Sequence, residues 1–519
     1  MANSWSLRVG NLNLTAGTAP VGDSGPARMQ QPFRLLLIGD FRGAGRTGSP
    51  APLAKRQPIR VDRDDFEEVL GKFAPAVRVP LGAPPHESVL LAFRDLEDFE
   101  PDRLFLQSQA FDSLHRLRKR LQNPAQFTEA AEEIKGWASA AQLAAEAKAP
   151  QPLDISPENL LDQMLGDKPS DSTAITLEDA GIKLPGVSGT DWDRFLRAIV
   201  APHVIARADP RLQDFTNLVD EAISAQMRTI LHHPNFQAIE AAWRSVYLLV
   251  RKLETDSQLQ IWLLDATQDE LAQDVLNVED LSTTGIYQQL VHRTASPAGE
   301  QPWAMIASLF RFGTTQSDLE TLANMAHIAS VAQTPFLAEA LSSLAGCPAF
   351  EGHTEPRDWH IDPTALQAWH QVRAMPESQY LGLIGPRFIM RLPYGKSGRV
   401  CEQFSFEEML PDSSHESFLW GNPAVLCGMV LGQSFMEDGW KLRPGDRLDV
   451  TGLPVPIYEA EGERVPKPCA EVLLPIRAAE QMSALGLMPL LSVQNGDAVR
   501  IAYFHSIAGP GAPLSGRWN

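Results

Sequence analysis

Two observations predict an α/β multidomain fold, with mixed sheets flanked by helices. Strand-like apolar runs alternate with stretches of helical periodicity along the chain, the pattern of a layered α/β architecture. The 519 residues, 44% hydrophobic and 21% charged, also supply enough apolar surface to bury a large core in two to four domains.

Residues 1–31 read as an N-terminal extension, polar and glycine-rich around one strand-like stretch from Trp5 to Leu14. In that stretch Leu7, Val9, Leu12 and Leu14 alternate about Gly10 as in an edge-pairing strand. The run Pro32-Phe33-Arg34-Leu35-Leu36-Leu37-Ile38-Gly39-Asp40-Phe41 reads as a buried strand, ended by Gly39 and Asp40. Gly43 to Arg56 is loop, Ile59 to Val61 strand, and Asp62 to Leu70 opens acidic and continues with helical spacing. Strands are expected at Ala76 to Pro80 and Ser88 to Phe93. From Asp98 the pattern turns helical, with Phe105, Ala110, Leu114, Leu117 and Leu121 on one side and Arg116, Arg118, Lys119 and Arg120 filling much of the rest. Residues 32–135 thus form a first small α/β domain. Residues 136–185, rich in Ala, Gln, Pro, Ser and Asp with weak periodicity, read as a linker.

Residues 186–508 form the second part. A helical region from Asp191 to about Leu253 carries an apolar face of Ile223, Met227, Ile230, Leu231, Ile239, Trp243, Val246 and Val250, interrupted at Pro234. Leu259 to Leu264 is a strand, and Thr267 with Glu270 three residues on is a capping-box pattern. Trp303 to Phe312 reads as strand, Ser317 to Val331 as helix, and Pro335 to Leu344 as strand or short helix. Beyond Arg373, proline and glycine become denser. Short strands are expected near Arg387 to Leu392, Val465 to Leu474 and Ala498 to Phe504, with helices at Pro423 to Met436 and Ile476 to Leu485. Residues 509–519 read as a C-terminal tail.

The formal net charge of −19 argues against nucleic acid or an anionic membrane surface as partner. Cys347, Cys401, Cys427 and Cys469 lie far apart with no CxxC pair, which fits neither a disulfide framework nor a zinc site and points to a reducing, cytoplasmic home. The N-terminus lacks the long apolar run of a signal peptide, and no later stretch is long and apolar enough to insert in a bilayer.

Motifs that carry chemistry are sparse. Gly43-Ala44-Gly45-Arg46-Thr47-Gly48 spells GxGxxG after a strand, with Asp62 and Asp65 downstream, but the continuation Ser49-Pro50-Ala51-Pro52 denies the helix N-terminus that a pyrophosphate needs. A dinucleotide-binding enzyme using Gly43 to Gly48 is therefore a remote alternative. His232-His233 sit beside Pro234 and suit a helix end better than a shared metal, and His353, Asp358 and His360 read as an ordinary loop. Asp412-Ser413-Ser414-His415-Glu416-Ser417 holds hydrolase residue types without a scaffold to aim them. No catalytic, cofactor or metal-ligating residue is expected. Arg391-Leu392-Pro393-Tyr394-Gly395-Lys396 is a basic, aromatic turn in an acidic chain, and such cations commonly meet Asp or Glu across an interface. Trp243, Trp303, Trp420 and Trp440 stand among apolar residues as core anchors.

Pro32 to Phe41, followed by Val61-Asp62-Arg63-Asp64-Asp65-Phe66-Glu67-Glu68-Val69-Leu70 and Leu96-Glu97-Asp98-Phe99-Glu100-Pro101-Asp102, resembles the small subunit (TssB/VipA type) of the type VI secretion contractile sheath over roughly residues 28–135. Ile230-Leu231-His232-His233-Pro234-Asn235-Phe236-Gln237-Ala238-Ile239-Glu240-Ala241-Ala242-Trp243-Arg244 resembles the signature of its large subunit (TssC/VipB type). The order continues through Phe312-Gly313 with Asp318-Leu319, Thr334-Pro335-Phe336, Gly385-Pro386-Arg387-Phe388, Arg391 to Gly395, Trp420 to Ala424, Asp438-Gly439-Trp440 and Glu471 to Phe504. The chain thus resembles a fusion of the two subunits. Two departures stand out: the family's large subunit continues past the point matched by Phe504-His505-Ser506, so its C-terminal region is expected to be missing here. Its acidic "DYxFG" motif is replaced by Ser308-Leu309-Phe310-Arg311-Phe312-Gly313.

The resemblance implies a contractile-tail-sheath-like fold and a non-enzymatic, structural role in the bacterial cytoplasm. Heterologous interfaces would repeat the unit into a helical tube whose contraction drives an inner tube outward. Implied partners are the protein itself or other sheath subunits, inner-tube protein, baseplate proteins and, as a further candidate, a disassembling AAA+ ATPase. The alternative it leaves open is a non-contracting cap, adaptor or initiator that binds sheath or baseplate. Interface candidates are Arg387, Arg391, Tyr394 and Lys396, with Trp5, Leu7 and Val9 on a donated strand. Phe236, Trp243, Trp420 and Trp440 are the expected structural anchors.

Overall fold

The computed structural model describes residues 4–9, 12–17, 31–43, 51–80, 88–123, 125–133, 210–295, 301–396, 398–460 and 463–518. The linker expected over 136–185 and most of the glycine motif, residues 44–48, lie outside these. Two compact units are present, one made of Met1–Asp112 with Ala222–Asn519 and one of Ser113–Glu221.

In the first unit, β1 (Ser4–Val9) and β2 (Leu12–Gly17) pair antiparallel from Ser4↔Gly17 to Val9↔Leu12. The stretch from Trp5 to Leu14, read as a candidate donated strand, covers most of β1 and the start of β2, which pair with each other. Next come β3 (Phe33–Gly39), β4 (Ile59–Val61) and α1 (Phe66–Phe73), then the antiparallel hairpin of β5 (Ala76–Pro80) and β6 (Ser88–Ala92), and α2 (Pro101–Gln107). The second unit begins within α3 (Asp112–Gln122) and ends within α4 (Pro210–Leu231). Inside it Arg118 Nε meets Asp220 at 2.8 Å and Arg120 meets Glu133 at 2.6 Å, so part of the basic face of α3 is neutralised locally.

The first unit resumes with α5 (Pro234–Lys252). Pro234 occupies the first turn and His233 Nδ1 accepts from Asn235 N–H, so the His-Pro pair starts this helix. After β7 (Leu259–Asp265), the expected capping box opens α6 (Gln268–Val275), with Thr267 and Glu270 each accepting from the other's backbone. β8 (Met305–Phe312), α7 (Gln316–Ala332), β9 (Phe336–Ala340), α8 (Pro363–Ala374) and β10 (Leu381–Gly385) follow. The ribbon of β11 (Phe388–Ile389) and β12 (Trp420–Gly421) precedes α9 (Ala424–Asp438). The chain closes with β13 (Asp449–Val450), the hairpin of β14 (Ile457–Ala460) and β15 (Glu463–Pro466), α10 (Ile476–Ala484), β16 (Leu487–Ser492) and β17 (Val499–Ile501).

Nine of these strands make one mixed sheet in the order β13-β17-β16-β10-β9-β8-β3-β7-β4. β16 through β7 run parallel, and the antiparallel strands lie at the two ends. All seven residues of β3 are buried, as expected of a strand covered on both faces. It registers with β7 from Phe33↔Leu259 to Gly39↔Asp265 and with β8 from Leu35↔Met305 to Ile38↔Ser308. Residues 33–61 therefore have no sheet of their own; their strands complete a sheet whose other members come from residues 259–501. Side-chain packing repeats this interleaving. Trp243 of α5 is fully buried against Phe41, Phe66 and Phe73 and donates its indole N–H to Phe41 O, while Phe236 meets Phe93 and Phe99 edge-on. On α9, Gly428 lets the helix close on β3: a Cβ there would lie 2.9 Å from Leu35 Cδ1. Trp440 packs tilted against Phe33 and edge-on against Phe435 and donates to Gln31 O at 2.6 Å, fixing the entry to β3.

Some expected strands shrink. The one near Arg387 to Leu392 is only β11, and the one near Val465 to Leu474 ends at Pro466, with Pro468 forbidding a further ladder bond. β10 and β16 were not expected, because Gly382 and Pro489 interrupt their apolar runs. The tail residues 509–518 are packed: Leu514 is buried, Ser515 N–H donates to Gln379 O, and Arg517 donates to Trp303 O and Ala332 O.

Candidate assembly site and its buried ion pairs

The residues singled out as interface cations fall into two charged clusters. In the first, Glu240 projects from the core-facing side of α5 and is fully buried. One turn on, Arg244 Nε reaches its Oε1 at 2.7 Å, and Arg391 Nε reaches the same oxygen at 2.8 Å. Arg391 grips Glu408 in a fork, Nη1 to Oε2 at 2.7 Å and Nη2 to Oε1 at 2.9 Å, and its remaining N–H groups go to Leu392 O and Glu240 Oε2. All five guanidinium donors are thus engaged. The guanidinium lies 4.3 Å over the Tyr394 ring, Arg244 Nη2 donates to Tyr394 Oη, and Tyr394 N–H donates to Glu408 Oε2.

Burial opposes the charge on Glu240, yet Arg391 and Arg244 hold its carboxyl below the ordinary value; burial likewise opposes the charge on Arg391, which Glu240 and Glu408 more than restore. Two arginines balance two glutamates inside the chain. The expectation that Arg391 and Tyr394 face a neighbouring subunit is therefore corrected: both are buried and their polar groups are already matched. Gly395 completes this turn with φ +140°, where a Cβ would strike Glu407. Lys396 alone of the three turn candidates is exposed, its N–H donating to Glu407 Oε1.

The second cluster surrounds Arg387, also mostly committed within the chain. Nε and Nη2 bind Glu471, Nη1 and Nη2 bind Glu416, Arg387 N–H donates to Glu471 Oε2, and Glu471 N–H donates to Arg387 O. His415 is wedged between Glu471 at 3.3 Å and the exposed Glu351 at 3.4 Å, with its ring 4.7 Å from Trp420, whose indole N–H donates to His415 O. Burial works against an ionised Glu471, but hydrogen bonds from His415 and Arg387 overcome it and pull the carboxyl down to about 2. The hydrolase-like run is thus spent on structure: both ring nitrogens of His415 face carboxylates, and Ser414 Oγ meets Ser417 Oγ.

Nearby, at the end of β9, Glu339 is buried with a different outcome. Burial raises its carboxyl to about 7, and Arg311, at 3.9 Å, and the more distant Arg387 only partly offset this. The sequence motifs single out none of Glu240, Glu339, Glu408 and Glu471 as a buried charge. Glu240 had a signal, standing one turn after Phe236 and one before Trp243 on a core-facing helical stripe, where a charge demands a buried partner. Glu339, inside the apolar run Phe336-Leu337-Ala338-Glu339-Ala340, had the same signal, whereas Glu408 and Glu471 lie in loops and had none. Trp5, Leu7 and Val9 lie on β1. Of the glycine motif, Gly43 is described: at φ +77° it donates to Asp40 Oδ1, and a Cβ would sit 2.6 Å from Ala76 O, so a chain crossing already accounts for this glycine. Among the described residues no group of three or more His, Cys, Asp or Glu is placed to hold a metal ion, and no helix is long and apolar enough to cross a membrane.

These clusters and the shared sheet lie in segments with known relatives. Residues 213–508 match the family described as "EvpB/VC_A0108, tail sheath N-terminal domain", named VipB, and residues 21–137 match "Type VI secretion system, VipA, VC_A0107 or Hcp2". A Pseudomonas aeruginosa protein, "Type VI secretion system sheath protein TssC1", is 30% identical over 287 residues, 54% of this chain and 58% of that protein's length. With more than half of its length matched by the tail-sheath family and the VipA match ahead of it, the chain belongs to the type VI secretion sheath proteins and carries a VipA-type and a VipB-type segment on one polypeptide.

Proposed function

We propose that this chain is a structural, non-enzymatic subunit of a type VI contractile sheath, working in the bacterial cytoplasm. The observation that supports the reading is β3: a strand of the VipA-type segment lies between β7 and β8 of the VipB-type segment, so the two segments share one sheet within one polypeptide. Joining the segments makes their association intramolecular, which removes its dependence on concentration. Copies would then pack through repeated heterologous contacts around inner-tube protein, on a baseplate, with a disassembling AAA+ ATPase as a further partner. Energy for contraction would lie in two alternative packings of the same subunits, which needs no catalytic residue.

Negative-stain electron microscopy of the purified full-length protein, alone and with sheath and inner-tube proteins of the same cell, tests this. Tubes, or incorporation along sheaths, are expected. Particles that decorate only sheath ends would make it a cap, and a chain that neither polymerises nor joins sheaths would sink the proposal.

A further inference from the structure

The segment Ser308 to Gly313, expected from the resemblance to replace an acidic motif, falls on an irregularity in the sheet. Pairing between β8 and β9 breaks after Ala307↔Leu337 and resumes at Arg311↔Glu339 and Phe312↔Ala340. Between them Phe310 N–H turns to Ser308 Oγ, and Phe310 O accepts from Asn422 Nδ2 at 3.1 Å. Such bulges re-aim side chains. Here the result sets Arg311 beside Glu339.

That pair is unfinished. Glu339 is 4% exposed, yet among the described residues its carboxylate accepts no hydrogen bond, and its one ion contact is Arg311 Nε at 3.9 Å. Every other buried carboxylate of the two clusters, Glu240, Glu408 and Glu471, accepts at least two hydrogen bonds. Neither oxygen of Glu339 is among the fully sealed unpaired atoms, and the Arg311 side chain above it is half exposed, so the site opens outward. The neighbourhood is short of cations. Glu471 and Glu416 already share Arg387, and their charges act on Glu339 as well. A buried carboxylate without donors is costly, and a guanidinium or ammonium group supplies both the charge and the N–H groups it lacks. A bound metal fits less well, since no cluster of three ligating side chains surrounds it among the described residues.

We propose that the Arg311–Glu339 pair is an open socket at the rim of the main sheet that receives a basic side chain from a second copy of this chain. The inference rests on the sheath reading, which supplies the second copy, and charge complementarity selects what that copy presents.

The test uses the full-length protein and its Glu339→Gln variant, which keeps the shape and removes the charge. Two quantities are read: the melting temperature of the unassembled protein, and the concentration at which assemblies sediment, below and above neutrality. The socket predicts that the variant melts no lower than wild type while needing about a tenfold higher concentration to assemble, because a buried interfacial charge has lost its partner. Arg311→Gln should shift assembly far less. Unchanged assembly with a raised melting temperature would show a buried carboxyl serving no partner and overturn the socket while leaving the sheath reading intact. Parallel loss of melting and assembly would overturn it too, showing a folding residue. A wild type that stays monomeric alone and with its partners would remove socket and sheath reading together.

Discussion

Glu471 and Glu339 are two glutamates of one neighbourhood, 8% and 4% exposed, and their carboxyls titrate at about 2 and about 7. Burial pushes both upward. The difference lies in the donors: Glu471 accepts from Arg387 Nε, Nη2 and backbone N–H and meets His415, whereas Glu339 has a single arginine at 3.9 Å. Depth alone therefore says little about a charge inside this protein; the count and reach of its donors decide whether the charge stabilises the fold or strains it.

The strongest way to break this comparison is to turn a satisfied carboxylate into an abandoned one. Arg391→Ala strips the fork from Glu408 and one partner from Glu240, leaving both buried, and should cost about 3–5 kcal/mol in urea unfolding or yield no folded protein. A loss below about 1 kcal/mol would mean that water reaches the cluster.

Glu471→Gln sharpens the comparison from the other side. The folded carboxyl lies below its ordinary value of 4.5, so its stabilisation is full above about 4.5 and is lost as pH falls toward 2. Glu471→Gln should therefore destabilise by about 2–3 kcal/mol at neutral pH, a penalty that fades in acid. Thermal unfolding across the acid range checks both halves.

The smallest effect should have the opposite sign. The folded carboxyl of Glu339 lies above its ordinary value of 4.5, so its contribution is favourable below about 4.5 and is lost as pH rises through 7. Glu339→Gln should raise stability of the unassembled protein by about 2 kcal/mol above neutrality and leave it unchanged near pH 4. A destabilised Glu339→Gln at pH 8 would show that Arg311 is a better partner than its distance suggests.

Local chemistry was legible in the sequence. Thr267 and Glu270 announced their capping box, Pro234 the break between α4 and α5, and Pro32 to Phe41 its buried strand, because each depends on residues a few positions apart. What stayed hidden depends on partners far along the chain. Arg391 pairs across 151 residues with Glu240, and β3 across more than 220 with β7, so the turn read as an outward-facing cation patch holds an inward-facing knot. β10 and β16 escaped for a related reason: Gly382 and Pro489 break a local pattern whose support comes from neighbouring strands.

The place of β3 has a mechanical consequence. A force drawn along the chain from the residues before Phe33 runs parallel to β3 and is met on both sides at once, by seven registered positions of β7 and four of β8. The ladder bonds then carry load in shear, many together, rather than peeling one by one as they would at an edge. A tether attached at this end would grip an interior strand of the sheet rather than its edge.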